Sequence, residues 1–294
     1  MSDSLTKNQH FVPQTYLRKF VNQDTGNLYC FDIPARRGFQ PKPGQVAAQN
    51  WFYEIEDIAP NAVEKLLSRW EMRIPHVVDV VERAGQSRLK RKRPWLRPIS
   101  HADRLELTWL MVVQLFRTPS FRTRWMKYVE DAHGDNLDAG SLHSNWLMNP
   151  STYDRYVSFW STFHLSILAA PQGTSFWTSD NPVAVTFGAG RGNGLGTGHP
   201  WIHFPITPTV MIELRDPASI VGKLYTVYQI TKSHVDWYNT LQVASAKRQV
   251  YASDPLNINV CELLDAQPAL VKESLQLERR GREQRKPTFE ILSP

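Results

Sequence analysis

Five polar residues spread along the chain have the types that hydrolysis needs: His10, Glu64, Glu71, Arg117 and Asp180. A neutral imidazole can act as a general base or a metal ligand near neutral pH. Carboxylates ligate divalent cations or orient an imidazole. A guanidinium steadies developing negative charge. Together they suit a metal-dependent phosphodiesterase or nuclease, with magnesium or manganese as the expected ion. His10, Glu71, Arg117 and Asp180 are the catalytic candidates, and Glu64 and Asp180 the candidate metal ligands. Gln14, Tyr53, Gln114, Asn181 and Asn239 are the candidate binding residues. No H-x-x-x-H helix, P-loop or G-x-S-x-G pattern points to a more specific chemistry.

Local elements must place these groups. His10 opens the segment His10-Phe-Val-Pro-Gln-Thr-Tyr-Leu-Arg-Lys-Phe20. Pro13 suits the first turn of a helix. Phe11, Tyr16, Leu17 and Phe20 then form an apolar stripe, with His10 just before the helix and Gln14 in its first turn. From Asn61 to Glu82 the apolar residues recur at helical spacing, with Asn61 and Glu64 in capping-box spacing. Pro75 should kink this helix or split it in two. Glu64 and Glu71 fall within about 20° of each other on the edge of the apolar stripe.

A second helix starts at Ser100, has Asp103 three residues on, and runs towards Arg117. Its apolar residues cover most of its circumference, which predicts a central, buried helix. Gln114 and Arg117 share a face with Leu107, Leu110 and Met111. A guanidinium there needs a carboxylate partner, because an isolated buried charge is too costly. Glu64, Glu71 and Asp180 are the candidates. Each of these residues also has a structural reading. His10 can be a hydrogen-bonder, the glutamates boundary charges, and Arg117 half of a structural ion pair. Asp180, before Asn181-Pro182, can cap backbone groups of a turn.

Elsewhere, residues 26–33 read as a strand and 51–54 as a short extended or packing segment. Residues 121–132 read as helix, 135–150 as loop and 153–168 as a third long helix. Strands are expected within 175–187, interrupted by a turn, and at 201–206, 210–214 and 249–253. A helix is expected at 234–248. Gly188 to Gly198 is glycine-rich, but no helix follows it, so it reads as a hairpin excursion and not as a phosphate loop. Helices and short strands segregate. This predicts an α+β fold, mainly helical, with a small, mostly antiparallel sheet from the N-terminal strand region and the C-terminal half. A single domain over 1–255 is expected, with 256–294 a helical, basic extension packing on it or trailing from it.

Apolar residues make up 41% of the 294 positions, enough for a packed core. Two cysteines, Cys30 and Cys261, make no disulfide framework and no C-x-x-C pair. The N-terminus lacks the apolar run of a signal peptide. No stretch approaches the roughly 20 apolar residues of a membrane span. A cytoplasmic protein is expected. The net charge of +6 is concentrated in two runs, Arg88–Arg97 and Arg279–Lys286. They would contact nucleic acid through its phosphates, or form ordinary solvated surface.

The chain resembles the uncharacterised bacterial domain-of-unknown-function family 4238. His10 to Phe20 matches the family's opening His-aromatic-Val-Pro-Gln-x-Tyr-Leu-basic-x-Phe. Phe52 and Tyr53 match its Phe-Tyr, and Glu64 and Glu71 its helix glutamates. Arg117-Thr118-Pro119, Thr178 to Val183, and Asn239 match its later motifs. The likeness spans roughly residues 8–255 and implies a shared fold and polar centre, without an activity. Two functions therefore stand as expectations. One is a hydrolase of a phosphate-containing substrate, nucleic acid first. The other is a non-catalytic binding or regulatory module whose buried polar network is structural. An open cleft at His10, Arg117 and Asp180 would favour the first, and a sealed, mutually satisfied set the second.

Overall fold

The computed structural model describes residues 6–55, 58–90, 99–133, 138–187, 200–215 and 225–266. The N-terminal strand β1 (Asn8–His10) pairs antiparallel with β4 (Ala48–Asn50). Between them lie α1 (Gln14–Leu17), β2 (Tyr29–Asp32) and β3 (Arg37–Phe39). Pro13 precedes α1, and Phe11, Tyr16, Leu17 and Phe20 are all buried, so the expected apolar stripe forms. Residues 51–54 are a packing segment and not a strand: Trp51 has φ of 57°, in the left-handed region, and Phe52 and Tyr53 are buried in the main core.

The helical layer follows. Helices α2 (Ala62–Glu71) and α3 (Ile74–Lys90) are separate, split just before Pro75. Asn61 does not cap α2; its side-chain oxygen instead accepts from Thr6 N at 2.9 Å. In α4 (His101–Phe116), Ser100 accepts from Asp103 N at 3.0 Å, a regular N-cap. Then come α5 (Pro119–His133), α6 (Ala139–Met148) and α7 (Pro150–Trp160). Residues 139–148 are thus helix, not loop, started by Asp138 accepting from Gly140 N and Ser141 N.

The third long helix expected at 153–168 stops at Trp160, and His164–Ala169 is strand β5. All six β5 residues are buried. An apolar run buried on both faces has no period of its own to tell strand from helix. The second half adds β6 (Thr178–Ser179), β7 (Ala184–Phe187), β8 (Pro200–Thr207), β9 (Val210–Arg215) and β10 (Tyr225–Gln229). It closes with α8 (Lys232–Ser245), β11 (Gln249–Ala252) and α9 (Asn257–Ala266).

Three sheets result. Besides β1–β4, the orders are β10-β5-β9-β8-β7 and β3-β2-β11-β6. The pairs are antiparallel except β10 beside β5. The fold is α+β. The stretch 175–187 supplies strands to two different sheets, so Asp180 lies on the crossing between them.

One face of the five-stranded sheet is apolar: Ile202, Phe204 and Ile206 of β8, Ile212 and Leu214 of β9, Leu165 and Ile167 of β5. It packs with Val77, Val78 and Val81 of α3 and with α4 in the main core. A Cβ on Gly85 would meet Val210 at 3.3 Å, so glycine lets α3 approach the sheet closely. Alternation puts Thr186, His203, Glu213 and Ser166 on the other face. At one end of that face Val235 and Tyr238 of α8 pack with Leu168 and Met211. Leu256, Val260 and Leu264 pack beside Phe31 and Val250, so the start of the 256–294 extension docks on the body. The rest of it, the basic runs at 91–97 and 279–286, and the glycine-rich 188–198 lie outside the described residues.

Candidate functional site

The end of α4 lies under the N-terminal segment. Gln114 donates to the Phe11 carbonyl at 3.0 Å. Arg117 is 1% exposed. Its Nη2 donates to the His10 carbonyl, and its Nη1 pairs with Glu71 Oε1 at 2.9 Å. Of the candidate carboxylates, Glu71 is the ion-pair partner. Burial opposes the guanidinium charge, but the Tyr53 oxygen and the Glu71 carboxylate outweigh it and hold its pKa above the ordinary range. Tyr53 also donates to the Arg117 carbonyl at 3.0 Å. Ala47 completes the seat of the segment. At φ of 53° it accepts Phe11 N at 2.9 Å through its carbonyl.

His10 is half-buried beside this pair. Burial lowers its pKa and Arg117 adds to that, against a hydrogen bond with the Gly44 backbone and the charge of Glu71. Gly44 also faces Gln14, whose Oε1 would lie 3.3 Å from a Cβ there. Gln14 and His10 therefore both border this glycine. Glu64, one end of α2 away from Glu71, has a raised pKa, from burial first and then from Glu71 and Glu54, with Arg117 opposing. Three enclosed atoms here have no hydrogen-bond partner: His10 Nε2, Glu64 Oε1 and Arg117 Nε.

Asp180 does not join them. Its carboxylate accepts from the backbone N–H of Lys247 at 2.8 Å, Arg248 at 2.8 Å and Gln249 at 3.0 Å. Both oxygens are thus spent between α8 and β11, which corrects the expected roles in catalysis and in orienting His10. Burial pushes its pKa up to about 6 against those amides. Asn181 accepts from Thr118 at 3.0 Å and donates to the Ser245 carbonyl at 3.0 Å. Asn239 accepts from Trp177 N at 2.8 Å and donates to the Ser175 carbonyl at 2.9 Å. Both clamp main chain, which suits amides that donate and accept at once. The expected metal ligands differ in setting, Glu64 lying in the Arg117 centre and Asp180 in the turn between α8 and β11; among the described residues no group of three His, Cys, Asp or Glu could hold a metal ion. A surface depression of about 350 Å³, lined by Lys19, Asn22, Glu82, Thr209 and Asp254 among others, includes none of the candidate residues.

A family model described as a protein of unknown function, DUF4238, matches residues 8–255. The chain belongs to the DUF4238 family. No curated protein and no solved structure matches it. The DUF4238 span takes in every candidate residue named above and ends just before α9.

Two polar groups of this DUF4238 chain were missed in the sequence. Beneath Tyr53 lies His143, whose Nε2 donates to the Phe116 carbonyl at 2.7 Å and whose Nδ1 accepts from Arg122 at 3.0 Å. Burial, then Arg122, pull its pKa down to about 3. Ser144 donates to the Tyr53 carbonyl at 3.0 Å. Asp138 with Gly140-Ser141 is the capping signal that would have revealed α6. The second group is His203 and Glu213, each 1% exposed, on the outer face of the five-stranded sheet. Their signal is a polar residue set between apolar ones, as in Ile202-His203-Phe204 and Ile212-Glu213-Leu214.

Proposed function

We propose that the polar centre at His10 is a structural latch, and that the chain works as a binding or regulatory module with no chemistry at His10. One observation carries this reading: Arg117 is 1% exposed and both its terminal nitrogens are already held, by Glu71 and by the His10 carbonyl. No open face of the guanidinium is left to grip an anion. With Gln114 on Phe11, α4 fastens two successive carbonyls of the N-terminal segment. A fork that fits two acceptors at once is what arginine offers and lysine does not. The test is thermal. Arg117→Lys and Gln114→Leu should each lower the melting temperature. A variant that melts like the wild type would end the latch reading.

The second reading is a hydrolase of a phosphate-containing substrate, nucleic acid first. It is favoured by the three unpartnered atoms His10 Nε2, Glu64 Oε1 and Arg117 Nε, since a purely structural network is normally satisfied throughout. A histidine with lowered pKa and a glutamate with raised pKa would serve as base and acid. Arg117 then positions His10 and does not touch substrate. Magnesium or manganese would be supplied with the substrate, and the basic runs would hold the nucleic acid. Wild-type protein inert on DNA and RNA with either ion excludes this reading. Cleavage lost in His10→Ala with the fold intact would displace the latch. A bacterial origin and a cytoplasmic location accompany both readings as proposals; among the described residues no helix is long and apolar enough to cross a membrane.

A further inference from the structure

The outer face of the five-stranded sheet carries a row of three polar groups, Thr186, His203 and Glu213. Thr186 Oγ1 lies 2.9 Å from His203 Nε2. His203 Nδ1 lies 3.1 Å from Glu213 Oε2. That second contact is an ion-pair approach and not a hydrogen bond, so Glu213 acts on the ring through its charge. Strand register explains the row: β8 sets His203 opposite both Ala184 of β7 and Glu213 of β9, with Thr186 two residues beyond Ala184. Glu213 is itself fixed, accepting from Tyr238 at 2.9 Å and from Arg215 Nε.

The protonation states follow from the partners. Burial opposes the Glu213 charge, but His203 and Arg215 outweigh it, so the carboxylate pKa is lowered and the group is an anion at neutral pH. An anion facing Nδ1 puts the ring proton there. In the neutral ring with its proton on Nδ1, Nε2 carries a lone pair and accepts from the Thr186 hydroxyl. A nucleophile donating to Nε2, with a carboxylate behind Nδ1, is the arrangement of acyl-transfer triads, recognised by geometry and roles.

We propose that Thr186, His203 and Glu213 form an acyl-accepting centre for esters or thioesters with an apolar or aromatic acyl group. The proposal goes beyond the module reading and uses no residue around His10. Thr186 is half-buried, not sealed. Two indoles border the row: Trp201 is the partner of Thr186 across β7 and β8, and Trp237, 44% exposed, lies perpendicular to the His203 ring with ring centroids 5.7 Å apart. Arg215 covers the Trp201 ring at 4.3 Å. Such walls suit flat, apolar groups.

In the reaction Thr186 Oγ bonds to the acyl carbon while its proton passes to His203 Nε2. The bond from that carbon to the leaving oxygen or sulfur breaks, and His203 returns the proton to the leaving group. Water then adds to the acyl carbon with His203 again as base. The carboxylic acid leaves and Thr186 regains its proton. Glu213 is a positioning residue throughout, stabilising the imidazolium.

The probe is p-nitrophenyl acetate with the full-length protein, read by p-nitrophenolate release and by peptide mass mapping. The wild type should acquire one acetyl group on Thr186. Thr186→Ser should keep the activity. Thr186→Val and His203→Gln should lose about 100-fold or more. Glu213→Gln should change the shape of the pH–rate profile, which loss of packing alone would not do. Circular dichroism checks that each variant is folded. Acetyl found on lysine or the N-terminus and absent from Thr186 overturns the proposal. So does a folded Thr186→Val as fast as the wild type. Should Thr186→Val fail to fold, the mapping on the wild type alone decides.

Discussion

Asp180 and Arg117 are both buried charges, yet their surroundings differ in kind. Asp180 meets three backbone amides across a closed turn, and each of its oxygens is occupied. Arg117 meets one backbone carbonyl and one carboxylate, and its Nε and two neighbouring atoms stay unpartnered. Glu71, its partner, is 26% exposed, so this centre borders water where the Asp180 turn does not. A charge neutralised by main chain ties elements together and leaves nothing over for a ligand. A charge neutralised by side chains at a half-open edge can be both a fastening and a site. The contrast separates residues that a sequence pattern groups together.

The largest expected effect tests the closed side. Asp180→Ala strips the acceptor from three buried N–H groups, at about 1–3 kcal/mol for each such donor. A loss of about 4 kcal/mol is expected, read from the urea midpoint at unchanged slope. A loss below about 1 kcal/mol would show that water replaces the carboxylate, and the contrast would collapse.

Arg117→Met should cost somewhat less, about 3 kcal/mol, because Glu71 can turn to solvent once unpaired. Arg117→Lys should recover little of it, since a single ammonium does not bridge both acceptors. Full recovery by lysine would mean that charge alone, without the fork, holds the segment.

Acid sharpens the comparison, because His143 and Asp180 respond with opposite sign. His143 beneath Tyr53 has a folded pKa of about 3, below its ordinary 6.5. The unfolded chain binds more protons between those values, so stability falls as pH drops through that window. At about 1.4 kcal/mol per pH unit, the loss by pH 4.5 is about 2–3 kcal/mol. His10, also lowered, adds in the same direction. Asp180 is raised from 3.8 to about 6, so the folded state binds the extra proton and its contribution to stability grows as pH falls from 6 to 4. His143→Gln should therefore flatten the acid limb of a melting-temperature profile, and Asp180→Asn should steepen it. Parallel shifts of both variants would refute the opposed signs.

The smallest effect is a control. Arg73 and Glu106 form an ion pair on the surface, the arginine being 60% exposed. Arg73→Ala should move stability by no more than about 0.5 kcal/mol. A larger change would make surface charge, and not burial, the factor that ranks these substitutions.

Much of the local structure was legible in the chain. Ser100 and Asp103 announced the start of α4, and Pro75 the division of α2 from α3. The apolar stripe of residues 11–20 is buried as its spacing required. His164–Ala169 was not legible, because a doubly buried strand shows no alternation and follows a true helix within four residues. Helix α6 was hidden by its weakly amphipathic sequence, and with it His143, which no spacing links to Tyr53.

The sequence by itself determined that Arg117 is enclosed and must be neutralised, for its helical face left no other course. It did not determine by what. Glu64, Glu71 and Asp180 are equally good partners on paper, since periodicity fixes which face a residue occupies and says nothing of what lies across the core. The tertiary structure chose Glu71 by packing α2 near the end of α4, and gave Asp180 to the backbone by carrying residues 180–183 from one sheet to another. It also brought Thr186, His203 and Glu213 into one row, through strand register that no single segment encodes.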